Sequence, residues 1–465
     1  MKLPFLRILA ALLLIWTSCE KESYYTSSDA VLKFSCDTIA FDTVFTSIGT
    51  ATQRLMVYNP YNKILKISSI QLAGGDKSPY ILNINGVMAN NAADIEVYPN
   101  DSLYIFVQVL INPTGNDLPL LVRDSVIFNV NGNLSSIKLQ AYGQDVHLVK
   151  GGTIKSQTWT ADKPYLIYGD LTLDTLQSLV IDKGTKVYFH KNANLRIKGS
   201  LNVNGEFGSP VTFGGDRLES DYNDIPGQWG GILLMPGSVN NTLNYVVIKN
   251  GTSGLQVGTV GNLFQTDLVL SNSIIQNMAY NCLLANNSKI KVVNTVLADG
   301  GAYTCALWGG SYEFYHSTIV NYSGSYTSVS RYPVLYLSNY VVNSYETVIQ
   351  PLIMVGFYNT IVYGNYSDEI AIDFKPTAPF NYKFDHCLLK GDAGKFTSQS
   401  QIAPIWNKSP RFKAVDKMVF ELDTLSPAKD AGNKQVGNAY PFDIKMINRT
   451  TDLGPDLGAY ERVEK

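Results

Sequence analysis

The chain has 465 residues, of which 45% are hydrophobic and only 16% charged. Globular chains average about 25% charged, so this one is too apolar for disorder and too poor in charge for a coiled coil or a helix-rich protein. Lys and Arg number 37 against 39 Asp and Glu, and the net charge of −2 leaves no basic footprint for nucleic acid. The 37 Gly, 19 Pro and 29 Tyr point to an all-β chain rich in turns.

Residues 1–18 read as a lipoprotein signal peptide. Lys2 and Arg7 supply the positive region, Ile8 to Trp16 the apolar core, and Thr17 and Ser18 lead to Cys19. The apolar run is about half of what spans a bilayer. A cysteine directly after small residues resembles a lipobox, which implies cleavage before Cys19 and acylation on it. Trp16 stands where a lipobox usually has Leu, and an ordinary secretory signal is the other reading. Glu20, Lys21 and Glu22 resemble the surface-export tag of lipoproteins in a Gram-negative phylum rich in glycan degraders. The implied address is the outer membrane, with outer-membrane lipid as the partner of Cys19 and the protein facing the medium. Residues 19–29 are read as a polar tether. Cys36, Cys282, Cys305 and Cys387 show neither a disulfide framework nor a CxxC metal pair.

Residues 30–148 alternate over long runs. Leu103, Ile105, Val107, Val109 and Ile111 recur at period two, as in a strand with one buried face. Further strand-like runs are 54–59, 64–72, 93–98, 124–130 and 135–143, divided by NPYN, AGGDKSP, PND, NPTGND and NGN turns. Six or seven short strands in this span predict a β-sandwich. VYNPYNKILKISSIQL, YPNDSLYIFVQV and LQAYGQDV resemble Ig-like domains of the ASPM–SPD-2–Hydin type, which are spacers or docking modules. Asp37, Asp42 and Asp101 are assigned to turns and caps.

Residues 149–420 carry an internal repeat. Segments beginning at Gln265, Ser288 and Ser311 stack without gaps at period 23, and Ile274-Ile275 recurs as Val296-Leu297 and Ile319-Val320. AYNC (279–282) recurs as AYTC (302–305), which places Cys282 and Cys305 at one phase, either as a ladder of small buried side chains or bridged. Several short strands per repeat predict a parallel β-helix of roughly eleven coils, stacked about 4.8 Å apart. Residues 322–357 break the register and predict a long loop or an extended coil.

The stretch from PYLIYGDLTL to DIPGQWGGILL resembles the opening of bacterial right-handed β-helix lipoproteins. LSPAKDAG (425–432) and DLGPDLGAYE (452–461) resemble the choice-of-anchor Q ending of such proteins, with Asn448-Arg449 in place of its usual central Arg. The resemblance implies an all-β fold: an N-terminal Ig-like β-sandwich followed by a right-handed parallel β-helix, a pectin-lyase-like solenoid. Residues 421–465 are then a capping segment over the unpaired edges of the last coil, with Asp430, Asp452 and Asp456 forming turns. Fold alone names no reaction.

A glycoside hydrolase needs two carboxylates facing one cleft, and a Ca²⁺-assisted lyase needs an acidic cluster near a base. Arg196-Ile197-Lys198 is an RIK triplet with no GHG after it, and is read as coincidence. Asp267, Asp299, Glu313, Asp373 and Asp385 fall at scattered phases, and His147, His190, His316 and His386 show no metal spacing. No catalytic or metal-ligating set is assigned. The candidate ligand-binding cluster lies in GDRLESDYNDIPGQWGG: Asp216, Arg217, Glu219, Asp221, Tyr222, Asp224 and Trp229. Rings there would stack on pyranose faces and carboxylates would bind hydroxyls or Ca²⁺; the alternative is a structural turn with an internal Arg–Asp pair. The Tyr-rich stretch 303–345 is a second candidate aromatic face. The expected function is a lipid-anchored, surface-exposed, non-catalytic glycan-binding or adhesion-type protein, with a polysaccharide as partner. The alternatives are a polysaccharide lyase or glycoside hydrolase, and a purely structural spacer. An enzyme would place two carboxylates, or acids with Lys or Arg, in one groove.

Overall fold

The computed structural model describes residues 23–49, 52–113, 115, 120–259, 266–322, 332–342 and 346–464. The signal peptide, Cys19 and the three residues after it lie outside the described residues. No helix among the described residues is long and apolar enough to cross a membrane. The fold is all-β, and the chain divides into two compact units, the first ending at Asp145 and the second beginning at Val146.

The first unit is an Ig-like sandwich whose described residues form two five-stranded sheets. In the strand Ser102–Val109, every second residue from Leu103 turns inward, and none of these four is more than 4% exposed. That strand pairs antiparallel with Gln53–Tyr58 on one side and Tyr80–Ile84 on the other, so its backbone groups are satisfied on both edges. In the second sheet Asn133–Gln144 runs antiparallel to Leu120–Val130 and parallel to Thr38–Phe45, with a bulge between Gln140 and Tyr142. The Asn131-Gly132 hairpin has positive φ at both residues (50° and 88°), which matches the twist of its flanking strands.

The second unit is a right-handed parallel β-helix. Most of its described strands form an eighteen-strand sheet and a ten-strand sheet, each built from strands stacked in parallel, and two short antiparallel pairs, Tyr340–Val342 with Thr347–Ile349 and Phe412–Ala414 with Val419–Leu422, stand apart from them. Inward side chains are apolar and stack rung on rung: Phe314, Phe357 and Phe384 lie in successive coils at ring spacings of 4.9 and 5.2 Å. The corner between the two sheets is made by one residue per coil in the left-handed region. Tyr245, Asn272, Asn294, His316, Asn359 and His386 hold this place, with φ between 45° and 52°. Asn and His tolerate that conformation better than most residues. The asparagines also bond along the stack, Asn294 Nδ2 to Asn272 Oδ1 at 3.1 Å and Asn272 Nδ2 to Asn244 Oδ1 at 2.8 Å.

The regular coil is 22 residues, not 23: Thr266 pairs with Ser288, Ile274 with Val296 and Leu297 with Ile319. The AYNC/AYTC match runs one residue out of this register. Cys305 therefore stacks on Leu283, while the amide of Cys282 donates to the carbonyl of Thr304. Both are buried free thiols. Longer coils carry insertions: 40 residues separate Thr242 from its neighbour Asn202, and 43 separate Thr360 from Ser317. These insertions consume the length that eleven regular coils would have used, so the described sheet has ten strands.

The final segment does not sit over the end of the coil stack. Phe396 fills the last turn, with ring spacings of 5.6 Å to Phe384 and 5.4 Å to Trp406. Beyond it, the chain packs against the outer side of the coils. Phe420, Ile444 and Ala459 form a small core with Val296, Ala298 and Val320, and Leu422, Ala428 and Leu457 form another with Ile361 and Leu388. This explains the apolar pairs: in Val296–Gly300 every residue is buried, Leu297 facing the helix interior and Val296 and Ala298 the C-terminal segment. The segment also reads the corner residues. Asn294 Nδ2 donates to the carbonyl of Phe442, and Asn359 Oδ1 accepts from the amide of Asn433. Arg449, fully buried, donates to Glu461 Oε2 at 3.1 Å, to Asn294 Oδ1 at 3.2 Å and to the carbonyls of Gly458 and Ala459.

Candidate functional site

The cluster at 216–229 lies in the insertion between the strands Val211–Gly215 and Gly231–Leu234. Arg217 Nε donates to both oxygens of Glu219, at 3.0 and 3.1 Å, and its guanidinium lies 3.9 Å from the centroid of the Tyr222 ring. The carbonyl of Tyr222 accepts from Gln228 Nε2. Arg217, Glu219 and Tyr222 thus form a closed unit, an internal Arg–Glu pair under a ring. Asp221 and Asp224 are exposed and stand apart from it.

Trp229 requires a correction. It is fully buried, its ring stacks on Phe189 at 4.4 Å, and its Nε1 donates to the carbonyl of Lys249 at 2.9 Å. An indole that fills the helix core has no face for a sugar, so Trp229 is removed from the ligand set. A strand resumes at Gly231, and the chain must re-enter the core just before it.

Asp216 belongs to a different group. Its Oδ2 lies 2.7 Å from His190 Nδ1, and His190 stacks on Tyr168 at 3.9 Å and 11°. Burial raises the Asp216 pKa, partly offset by the His190 hydrogen bond. Tyr168, His190 and Asp216 come from three successive coils and share one outward position, because His190 N bonds the carbonyl of Ile167 and Asp216 N that of Phe189. Spacing in sequence did not reveal His190, because Asp216 lies 26 residues on, outside the regular repeat, and only the strand pairing brings the two together.

The Tyr-rich stretch yields a second cluster. The strands Cys305–Trp308, Leu335–Ser338 and Ile370–Asp373 are neighbours, and their alternation sends Trp308, Tyr336 and Asp373 outward. Tyr303 stacks on Tyr336 at 4.6 Å and meets Tyr332 edge-on at 5.0 Å, and Trp308 lies 5.3 Å from Tyr336. Asp373 Oδ2 accepts from the hydroxyls of Tyr340 at 2.7 Å and Tyr336 at 3.4 Å, and Lys375 Nζ lies 4.7 Å from the Tyr340 ring centroid. Burial pushes the Tyr336 phenol up to about 12, and the Asp373 hydrogen bond raises that of Tyr340. The cluster combines half-buried rings with an exposed carboxylate, the two features that bind the apolar face and the hydroxyls of a pyranose. Residues 323–331 and 343–345 lie outside the described residues.

No group of three or more His, Cys, Asp or Glu suited to a metal ion is present among the described residues. His147, His190 and His386 each pair with one carboxylate, and His316 is buried.

No protein-family model and no curated protein matches the chain. Among solved structures, a family 123 glycoside hydrolase from Clostridium perfringens, described for glycolipid glycan hydrolysis, aligns with a TM-score of 0.18. Identity is 7%, over 26% of this chain and 26% of that chain, so the aligned part spans about a quarter of the hydrolase. The human CEP192 ASH/PapD-like domain 7 aligns with a TM-score of 0.17 and 8% identity, over 27% of this chain and 96% of that chain.

Proposed function

We propose that this is a lipid-anchored, surface-exposed glycan-binding protein of the outer membrane, held through acylated Cys19. The observation that carries the reading is the aromatic cluster of Tyr303, Trp308, Tyr332, Tyr336 and Tyr340 around Asp373. Rings already packed on one another lose little freedom when a sugar is laid on them, so the cost of ordering them is met by the fold. The carboxylate is fixed by two phenols and offers its remaining lone pairs to ligand hydroxyls. The test is calorimetry with plant, host and microbial oligosaccharides on the chain from Glu20 onward, which includes every described residue. Tyr336→Ala is expected to weaken binding by about ten-fold or more, the scale of a truncated aromatic anchor. Unchanged binding in Tyr336→Ala and Trp308→Ala would remove the cluster from the account.

Cleavage by a lyase or hydrolase is the second reading, favoured by one observation. Asp267, Glu313, Lys289 and Lys291 line a single groove of about 630 Å³ on the ten-strand sheet. Measuring new chain ends in the same incubations decides between binding and cleavage. The anchor is tested separately: Cys19→Ala is expected to release the protein from the membrane fraction.

A further inference from the structure

The groove on the ten-strand sheet continues into a second aromatic surface. Lys291, Glu313, Gly356 and Lys383 occupy one outward column in successive coils. Two residues further along the strands, Tyr315 and Tyr358 stack at 4.9 Å and 13°. Gly356 has no side chain, and the Tyr358 ring takes the space: a Cβ built on Gly356 would lie 2.5 Å from Cε2, 2.7 Å from the hydroxyl oxygen and 2.8 Å from Cζ of that ring. The Tyr358 ring therefore lies back over Gly356. Tyr440, from the C-terminal segment, meets Tyr315 at 4.9 Å, and Lys291 Nζ lies 5.2 Å from the Tyr440 ring and 5.7 Å from the Tyr315 ring. Lys383 Nζ, paired with Asp385 at 2.9 Å, lies 5.4 Å from the Tyr358 ring. Beside these rings the groove presents hydroxyl-bonding groups of both charges, among them Asp267, which keeps a buried carboxylate oxygen with no hydrogen-bond partner among the described residues.

We infer that this face is a second pyranose-binding site, in which Tyr315, Tyr358 and Tyr440 carry the rings of a glycan chain and the Asp267–Glu313 groove takes its hydroxyls. Mixed charge along the floor suits a polyhydroxylated chain, which accepts and donates at every unit, better than an apolar or a single-signed partner. The site also gives the C-terminal segment a role beyond packing, since Tyr440 completes the platform. The inference rests on the glycan-binding reading above.

The test uses the chain from Glu20 onward in calorimetric titrations with cellohexaose, xylohexaose and the hexamer of N-acetylglucosamine. Two sites per chain are expected for at least one probe. Tyr358→Ala and Tyr440→Ala should each weaken one site by about ten-fold, and so should Gly356→Ala, which displaces the Tyr358 ring without removing it. The other site should persist in these variants and be lost in Tyr336→Ala, which leaves the platform intact. Far-ultraviolet circular dichroism of each variant should match the parent, which excludes loss of fold. One site per chain, lost in Tyr336→Ala and untouched by Tyr358→Ala, Tyr440→Ala and Gly356→Ala, would overturn the second site while leaving the first. No binding of any probe would overturn both.

Discussion

Arg449 has no contact with solvent, and a buried guanidinium persists only where charge and hydrogen bonds compensate it. Glu461 supplies the direct partner, and Asp443 and Asp456 add nearby negative charge. Three buried carboxyls around one cation leave an excess of acid, and burial raises Asp456 to about 7 and Glu461 to about 8. Both values exceed the ordinary 3.8 and 4.5, so the folded state holds these protons more tightly than the unfolded chain. Stability should therefore fall as pH rises from about 4 and level off above about 8. Denaturant melts at several pH values check this. Glu461→Gln, which keeps an acceptor for Arg449 and removes a titrating group, should flatten the slope. Arg449→Ala strands the carboxylates and should cost about 3–5 kcal/mol, with faster amide exchange across residues 408–464. The sequence pointed to Arg449 only through the resemblance of its ending, and its partners were not legible, because Asn294 lies 155 residues away. Trp229 shows the opposite failure. An aromatic among charged residues reads as a binding loop, and only the return of the chain into the core shows that the indole faces inward.

The apolar pairs are the clearest signal along the strands, and in the sequence they read as coils lying one over another. Their doubling has a second cause, which is the C-terminal segment on the outer side. Leu297 and Val296 should accordingly fail in different ways. Leu297→Ala leaves a cavity in the helix interior and should cost about 2–5 kcal/mol in global unfolding. Val296→Lys places a charge under Ile444 and Ala459, and should detach the segment while the coils keep their parallel strands. Proteolysis of residues 408–464 against circular dichroism of the whole chain separates the two. The sequence repeat reads one residue too long because AYNC and AYTC lie 23 apart, whereas the backbone pairs set a register of 22. That single residue set Cys282 opposite Cys305, whereas Cys305 faces Leu283; the column of Tyr168, His190 and Asp216 was hidden by uneven coils instead, since His190 and Asp216 lie 26 residues apart. Cys282 and Cys305 should remain unreactive toward alkylating reagents in the native state and react once the chain unfolds, since both are buried and burial raises both thiol pKa values.

The architecture was legible because both units repeat a simple period: two in the sandwich strands, and in the helix a coil of 22 residues lengthened in places by insertions. Sites were less legible, because a solenoid assembles them from residues one or two coils apart. Asp267 and Glu313, at scattered phases in the sequence, line one groove; Asp373 joins tyrosines from a different strand; and Tyr440 reaches the ten-strand sheet from beyond the coils. We propose above that such assembled aromatic and carboxylate surfaces bind glycans at the cell exterior without cutting them. The most direct test incubates the chain from Glu20 onward with a panel of plant, host and microbial polysaccharides, with and without Ca²⁺, and measures retained polysaccharide and new chain ends together. Retention of at least one polysaccharide is expected, reduced in Tyr336→Ala, with no new chain ends. New chain ends would establish an enzyme, and the absence of retention across the panel would contradict glycan binding.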